Sequence, residues 1–279
     1  MTLDLSTLAP LVAVLMAASA VAGLLAGLFG VGGGIILVPA FYFVLHGLGY
    51  DGPQVMQVCL ATSLASIIVT SIRSVHAHNK RGAVDWDILK GWAPGIAIGA
   101  VLGMLAAARL RSEVLAVIFG VLATMVGLYL AFGRQSWRLG PQMPQMPQMP
   151  QGGARAALSP TVGFFSVLMG IGGGSFGVPL MTLYSVPMHR AVATAAGFGL
   201  VIAVPSVIGF LFLNVAGAPP LTVGAVNVPA LVIAISMTLI TAPMGAKLAH
   251  ALDALLLRRL FAVFILIVAV NMLRKALWA

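Results

Sequence analysis

Charge is scarce in this chain. Asp, Glu, Lys and Arg make up 8% of its 279 residues, where an ordinary soluble domain has roughly 25%. Leu5 to Tyr50, Ala156 to Met188 and Ala191 to Ala246 contain none of the four. A membrane-spanning helix needs about 20 apolar residues, so each stretch can hold one or more spans, and a soluble core is excluded. Acids are scarcest. The six are Asp4, Asp51, Asp85, Asp87, Glu113 and Asp253, and none falls in the middle of an expected span. This argues against coupling through an intramembrane carboxylate. The one cysteine, Cys59, excludes an intramolecular disulfide and reads as a small packing residue. The N-terminal MTLDLSTLAP lacks the basic region of a signal peptide, so the first span is expected to be retained. No Walker lysine follows a glycine run, and G-x-G-x-x-G would need Gly at Ile35 or Ser175, so nucleotide binding is a poor reading.

What the chain does have is apolar bulk and helix breakers: 61% hydrophobic residues, 32 Gly, 16 Pro and a mean hydropathy of +1.09. The fold class is therefore an all-α polytopic membrane protein, with about 8–10 membrane segments. In the first half they are expected near Leu8–Leu28, Ile35–Leu45, Gln54–Ile72, Ile88–Ala108 and Val114–Phe132. In the second half they are Pro160–Met169, Phe176–Val186, Ala191–Leu213, Val226–Lys247 and Leu255–Leu273. The net charge of +9 sits mostly in short loops, which is the positive-inside pattern rather than a nucleic-acid footprint. The loops at 73–90, the central linker, 189–190 and 247–259 then face inward. The N-terminus and the loops at 46–53 and 214–225 face outward. Five passes per half would invert the second half relative to the first. Arg109, Arg111, Arg274 and Lys275 would then lie outside, against the rule.

One phrase occurs twice. GLFGVGGGIILVPAF runs from Gly27 to Phe41 and VLMGIGGGSFGVPLM from Val167 to Met181. Gly30, Gly32, Gly33, Gly34, Val38 and Pro39 reappear as Gly170, Gly172, Gly173, Gly174, Val178 and Pro179, at a constant offset of 140. Weaker matches follow, such as Ala61-Thr62-Ser63 with Ala193-Thr194-Ala195. The chain divides into a first membrane repeat (1–133), a low-complexity linker (134–156) and a second repeat (157–279). The Pro-Gln-Met triplets of the linker can form neither helix nor strand and read as an extended connection.

Adjacent glycines permit positive φ and leave backbone N–H groups uncovered. Pro39 and Pro179 then suit the first turn of a helix. Each phrase describes a glycine-broken or re-entrant helix starting inside the membrane. Irregular backbone at that depth must be buried or line a cavity. Two such N-termini, one per half, would favour a small anion near the midplane. The candidate binding residues are Gly32, Gly33 and Gly34 with Gly172, Gly173 and Gly174. Thr62, Ser63, Ser175 and Thr194 could add hydroxyls, although hydroxyls in membrane helices commonly bond to the preceding turn. Arg190 could add charge, or serve as an interfacial positive-inside residue. Packing through small residues is the competing explanation for glycine. It applies to the Gly95, Gly99, Gly103 stripe and to Gly23 with Gly27. His76 and His78 lack further ligands for a metal, and no cofactor is implied.

The two glycine phrases, the Ala-Thr-Ser and Ala-Thr-Ala segments and the Gly-rich later helices resemble the TauE/SafE sulfite exporter family, also called the toluenesulfonate uptake permease family. The resemblance covers nearly the whole chain outside the linker. It implies a non-enzymatic secondary transporter, often an exporter, of small sulfur oxyanions or organosulfonates in a bacterial inner membrane. The expected partners are a small anion and membrane lipid, with no nucleic acid. A homodimer stays open. An anion channel and a membrane subunit feeding an enzyme are the rival classes. The energy source also stays open among proton co-transport on the anion, passive uniport and a histidine such as His46.

Overall fold

The computed structural model describes residues 5–29, 33–132, 149–248 and 254–278. Ten helices and one small hairpin form there. In chain order they are α1 (Leu5–Phe29), α2 (Gly34–Gly47), α3 (Val55–Asn79), α4 (Trp86–Arg109), α5 (Ser112–Phe132), α6 (Gly152–Leu168), α7 (Gly174–Leu183), α8 (Met188–Leu211), β1 (Thr222–Val223), β2 (Val226–Asn227), α9 (Val228–Leu248) and α10 (Ala254–Trp278). The architecture is all-α and polytopic. Six helices, α1, α3, α4, α5, α8 and α9, are long and apolar enough to cross a membrane, while α2 and α7 are shorter apolar helices.

Burial identifies the centre. Of the apolar windows in α3 and α8, 78% and 61% are buried, against 22% in both α1 and α9. The central pair α3 and α8 pack on each other, and α5 packs on α10. Two further long contacts are reciprocal: α1 of the first half lies along α9 of the second, and α6 of the second lies along α4 of the first, which also packs on α8. Small residues make both approaches close, as packing in lipid requires. A Cβ at Gly99 would overlap the carbonyl of Pro160, and one at Gly163 would overlap that of Ile96. In the mirror seam, Gly23 meets Thr238 and Thr241, and Gly245 meets the carbonyl of Leu24. The expected packing role of the Gly95, Gly99, Gly103 stripe is what the structure shows.

Three local features differ from the sequence expectation. First, α2 and α7 begin on Gly34 and Gly174, so Pro39 and Pro179 fall in the second turn and not the first. Each ring removes the amide that would bond to the carbonyl four residues back, at Ile35 and Ser175. Second, α6 begins at Gly152, inside the 134–156 stretch and well before Pro160. Good helix formers at Ala154-Arg155-Ala156-Ala157-Leu158 extend it, and Gly95 and Gly99 let α4 approach its backbone closely at the interior Pro160. The triplets up to residue 148 lie outside the described residues. Third, the loop after α8 contains the β1–β2 hairpin, with Gly224 at positive φ (60°) in its two-residue turn, as such turns require.

Candidate functional site

The two glycine phrases touch. A Cβ at Gly34, the first residue of α2, would overlap the Gly170 carbonyl oxygen and lie 2.9 Å from the Cα of Ile171. The hydroxyl of Ser63, on α3, donates to that same Gly170 carbonyl at 2.7 Å. Gly170 itself has φ of 60°, and a side chain there would run into Val38 and Leu60. The N-terminus of α2 therefore rests on the turn that leads into α7, with α3 bracing both. Ser63 is spent on this bracing.

Positive φ is present at Gly33 (68°) and Gly170, but not at Gly173. Gly173 is right-handed helical (φ −62°), and a Cβ there would collide with Phe198 and approach the Ala195 carbonyl to 2.9 Å. Its glycine is needed for close approach of α7 to α8 and not for a left-handed turn. Gly172 is less crowded, its nearest neighbour being Ile67 at 3.4 Å. Gly174 opens α7 and is buried. Gly32, like Gly30, lies outside the described residues.

Neither α2 nor α7 has a side-chain cap, so their first amides keep the free valence of a helix N-terminus. Ser175 is the second residue of α7. Its hydroxyl is buried and has no hydrogen-bond partner among the described residues. In a helix the Cα–Cβ bond tilts toward the N-terminus, so this side chain leans toward the uncapped end. Ser166, in the last turn of α6, carries a second buried hydroxyl without a partner. Its carbonyl accepts from Ile171 N at 2.9 Å, which places it at the other side of the same turn. At the offset of 140 the first half has Ala26 and Ile35 in place of these serines. The sequence reading did not single out Ser166. The signal was available in that comparison of halves.

The two threonines have a different task. The Thr62 hydroxyl accepts from the backbone N–H of Asn227 at 3.0 Å, and Thr194 accepts from the backbone N–H of Asp85 at 2.9 Å. Asp85 caps α4 by accepting from Ile88 N at 3.1 Å, and Asn227 caps α9 by accepting from Ala230 N at 3.1 Å. Each central helix thus holds the cap of a peripheral helix from the opposite half. Arg190, at the start of α8, pairs with Asp85 at 2.9 Å. Its charge is directed to that carboxylate. His46 lies elsewhere, against Asp51 at 3.0 Å, in a cleft of about 560 Å³ shared with Tyr42, Glu113, Arg274 and Lys275.

The site is thus a small buried polar junction between two broken helices in an apolar helical protein. Comparisons with known proteins lead to the same kind of molecule. The family described as sulfite exporter TauE/SafE matches residues 15–272. A probable membrane transporter protein of Haemophilus influenzae is 28% identical over 258 residues, covering 92% of this chain and 96% of the relative. One of Methanocaldococcus jannaschii is 26% identical over 236 residues, covering 82% of each. The probable membrane transporter protein YunE of Bacillus subtilis is 30% identical over 199 residues, covering 65% of this chain and 71% of the relative. No solved structure matches. With 258 residues of matched length running through both glycine phrases and both threonine segments, the chain belongs to the TauE/SafE sulfite exporter family.

Proposed function

We propose that this protein is a secondary transporter, working as an exporter, of a small sulfur oxyanion or organosulfonate in a bacterial inner membrane. The observation that carries the site is the unpartnered hydroxyl of Ser175 beside the uncapped start of α7, where the two glycine phrases meet. A buried hydroxyl without a partner costs free energy, and an anion would supply the missing acceptor. The uncapped amides of α7, and those of α2 where it rests on the turn leading into α7, favour negative charge. The family of sulfite exporters supports the sulfur chemistry. The amides of Gly33–Gly34 and Gly172–Gly174, with Ser175 and Ser166, are the proposed ligands. Thr62, Ser63, Thr194 and Arg190 support them through the contacts described above.

Proteoliposomes test this. Saturable uptake of labelled sulfite or a sulfonate, accelerated by unlabelled anion on the other side, is expected of a carrier. Flux without saturation or counterflow would identify a channel. No flux of any sulfur oxyanion above empty vesicles would overturn the proposal.

A further inference from the structure

Fourteen polar side chains are buried among the described residues, and all of them are serine, threonine, asparagine or glutamine. None carries a charge. The cation offered by the sequence, Arg190, is neutralised by Asp85. Among the described residues, positive potential at the junction therefore comes from helix ends alone. An N-terminus contributes about half an elementary charge, so α2 and α7 together supply about one. The C-terminal end of α6 meets the same turn with the opposite sign, so the junction holds no more than about one positive charge. Its carbonyls at Phe165, Ser166 and Val167 are already engaged by Met169, Ile171 and Gly170 amides. The hydroxyls of Ser175 and Ser166 add dipoles but no net charge.

We propose that this junction selects its anion by charge, accepting singly charged oxyanions such as organosulfonates and rejecting doubly charged ones such as sulfate. The inference rests on the anion site proposed above and adds the charge state of its occupant. A monoanion balances the two helix ends. A dianion leaves about one charge uncompensated in a buried, low-dielectric setting, where an unpaired charge is strongly disfavoured. A dibasic sulfur acid binds there with one proton retained.

Methanesulfonate and sulfate make the comparison direct. Both are tetrahedral at sulfur and similar in size, and they differ by one charge. Binding of each to the detergent-purified full chain is measured by isothermal calorimetry at matched ionic strength. This avoids the general stabilisation that sulfate gives in thermal assays. Methanesulfonate is expected to bind at least about 100-fold tighter than sulfate. Ser175→Ala should weaken methanesulfonate binding, showing that the measured site is this one. Equal affinities, or tighter sulfate, with both weakened by Ser175→Ala would overturn charge selection and leave the anion site standing. No binding of either anion, or methanesulfonate binding untouched by Ser175→Ala, would overturn the site and the inference together.

Discussion

At the scale of the residue, the same amino acid does different jobs in the two halves. Gly33 is glycine because its φ is positive, whereas Gly173 is glycine because Phe198 leaves no room for a Cβ. A substitution at either would disturb folding before it said anything about an anion. Ser175 is the better probe. Its hydroxyl has no partner to lose among the described residues, so Ser175→Ala should leave the melting temperature of the ligand-free protein unchanged or slightly higher. A hydrogen bond to a charged group is worth about 1.5–3 kcal/mol, so the same change should weaken the anion's Kd by roughly 10- to 100-fold. Thermal unfolding without ligand and titration with it separate the two effects. A clear loss of ligand-free stability would mean that the hydroxyl is engaged in the fold and not waiting for an acceptor.

At the scale of the element, helix existence was legible and helix purpose was not. Uninterrupted apolar runs and the glycine breaks placed all ten helices, because both follow from local composition. The start of α6 was missed because Pro160 suggests a first turn, whereas the helix carries it as an interior residue packed against Gly95 and Gly99. The sequence offers Thr62 and Thr194 either as substrate hydroxyls or as partners of the preceding helical turn. Their partners are backbone amides 165 and 109 residues away, beyond the reach of any spacing argument. Thr62→Val removes the acceptor for the buried Asn227 amide, and Thr194→Val removes the acceptor for Asp85. Each should destabilise the protein by about 1–3 kcal/mol, the cost of an unmet buried donor. Serine at either position should restore most of it. Denaturation in matched detergent would decide. Valine variants as stable as the parent would show that water satisfies those amides and that the threonines do not brace the caps.

At the scale of the whole molecule, the reciprocal seams tie the halves into one body. The first half's α1 lies on α9, the second half's α6 lies on α4, and the central α3 and α8 pack on each other. Each half also lends a threonine to the other's helix cap. Such an exchange relates α3 to α8 and α4 to α9, so the turn after α3 corresponds to the loop after α8. The basic loop near residues 73–90 and the uncharged loop at 214–225 are then equivalent positions. Inverted repeats place equivalent loops on opposite faces of the membrane, and parallel repeats place them on the same face. By the positive-inside rule the basic loop is expected on the inner side. Ala77 and Ala216 are both exposed and small, and Cys59 is buried, so a Cys59→Ala background gives a clean probe. Ala216→Cys should react with an impermeant thiol reagent added to intact cells. Ala77→Cys should react only after the membrane is opened. Labelling of both from the same side would make the repeats parallel, and the two glycine phrases would then not approach the junction from opposite faces.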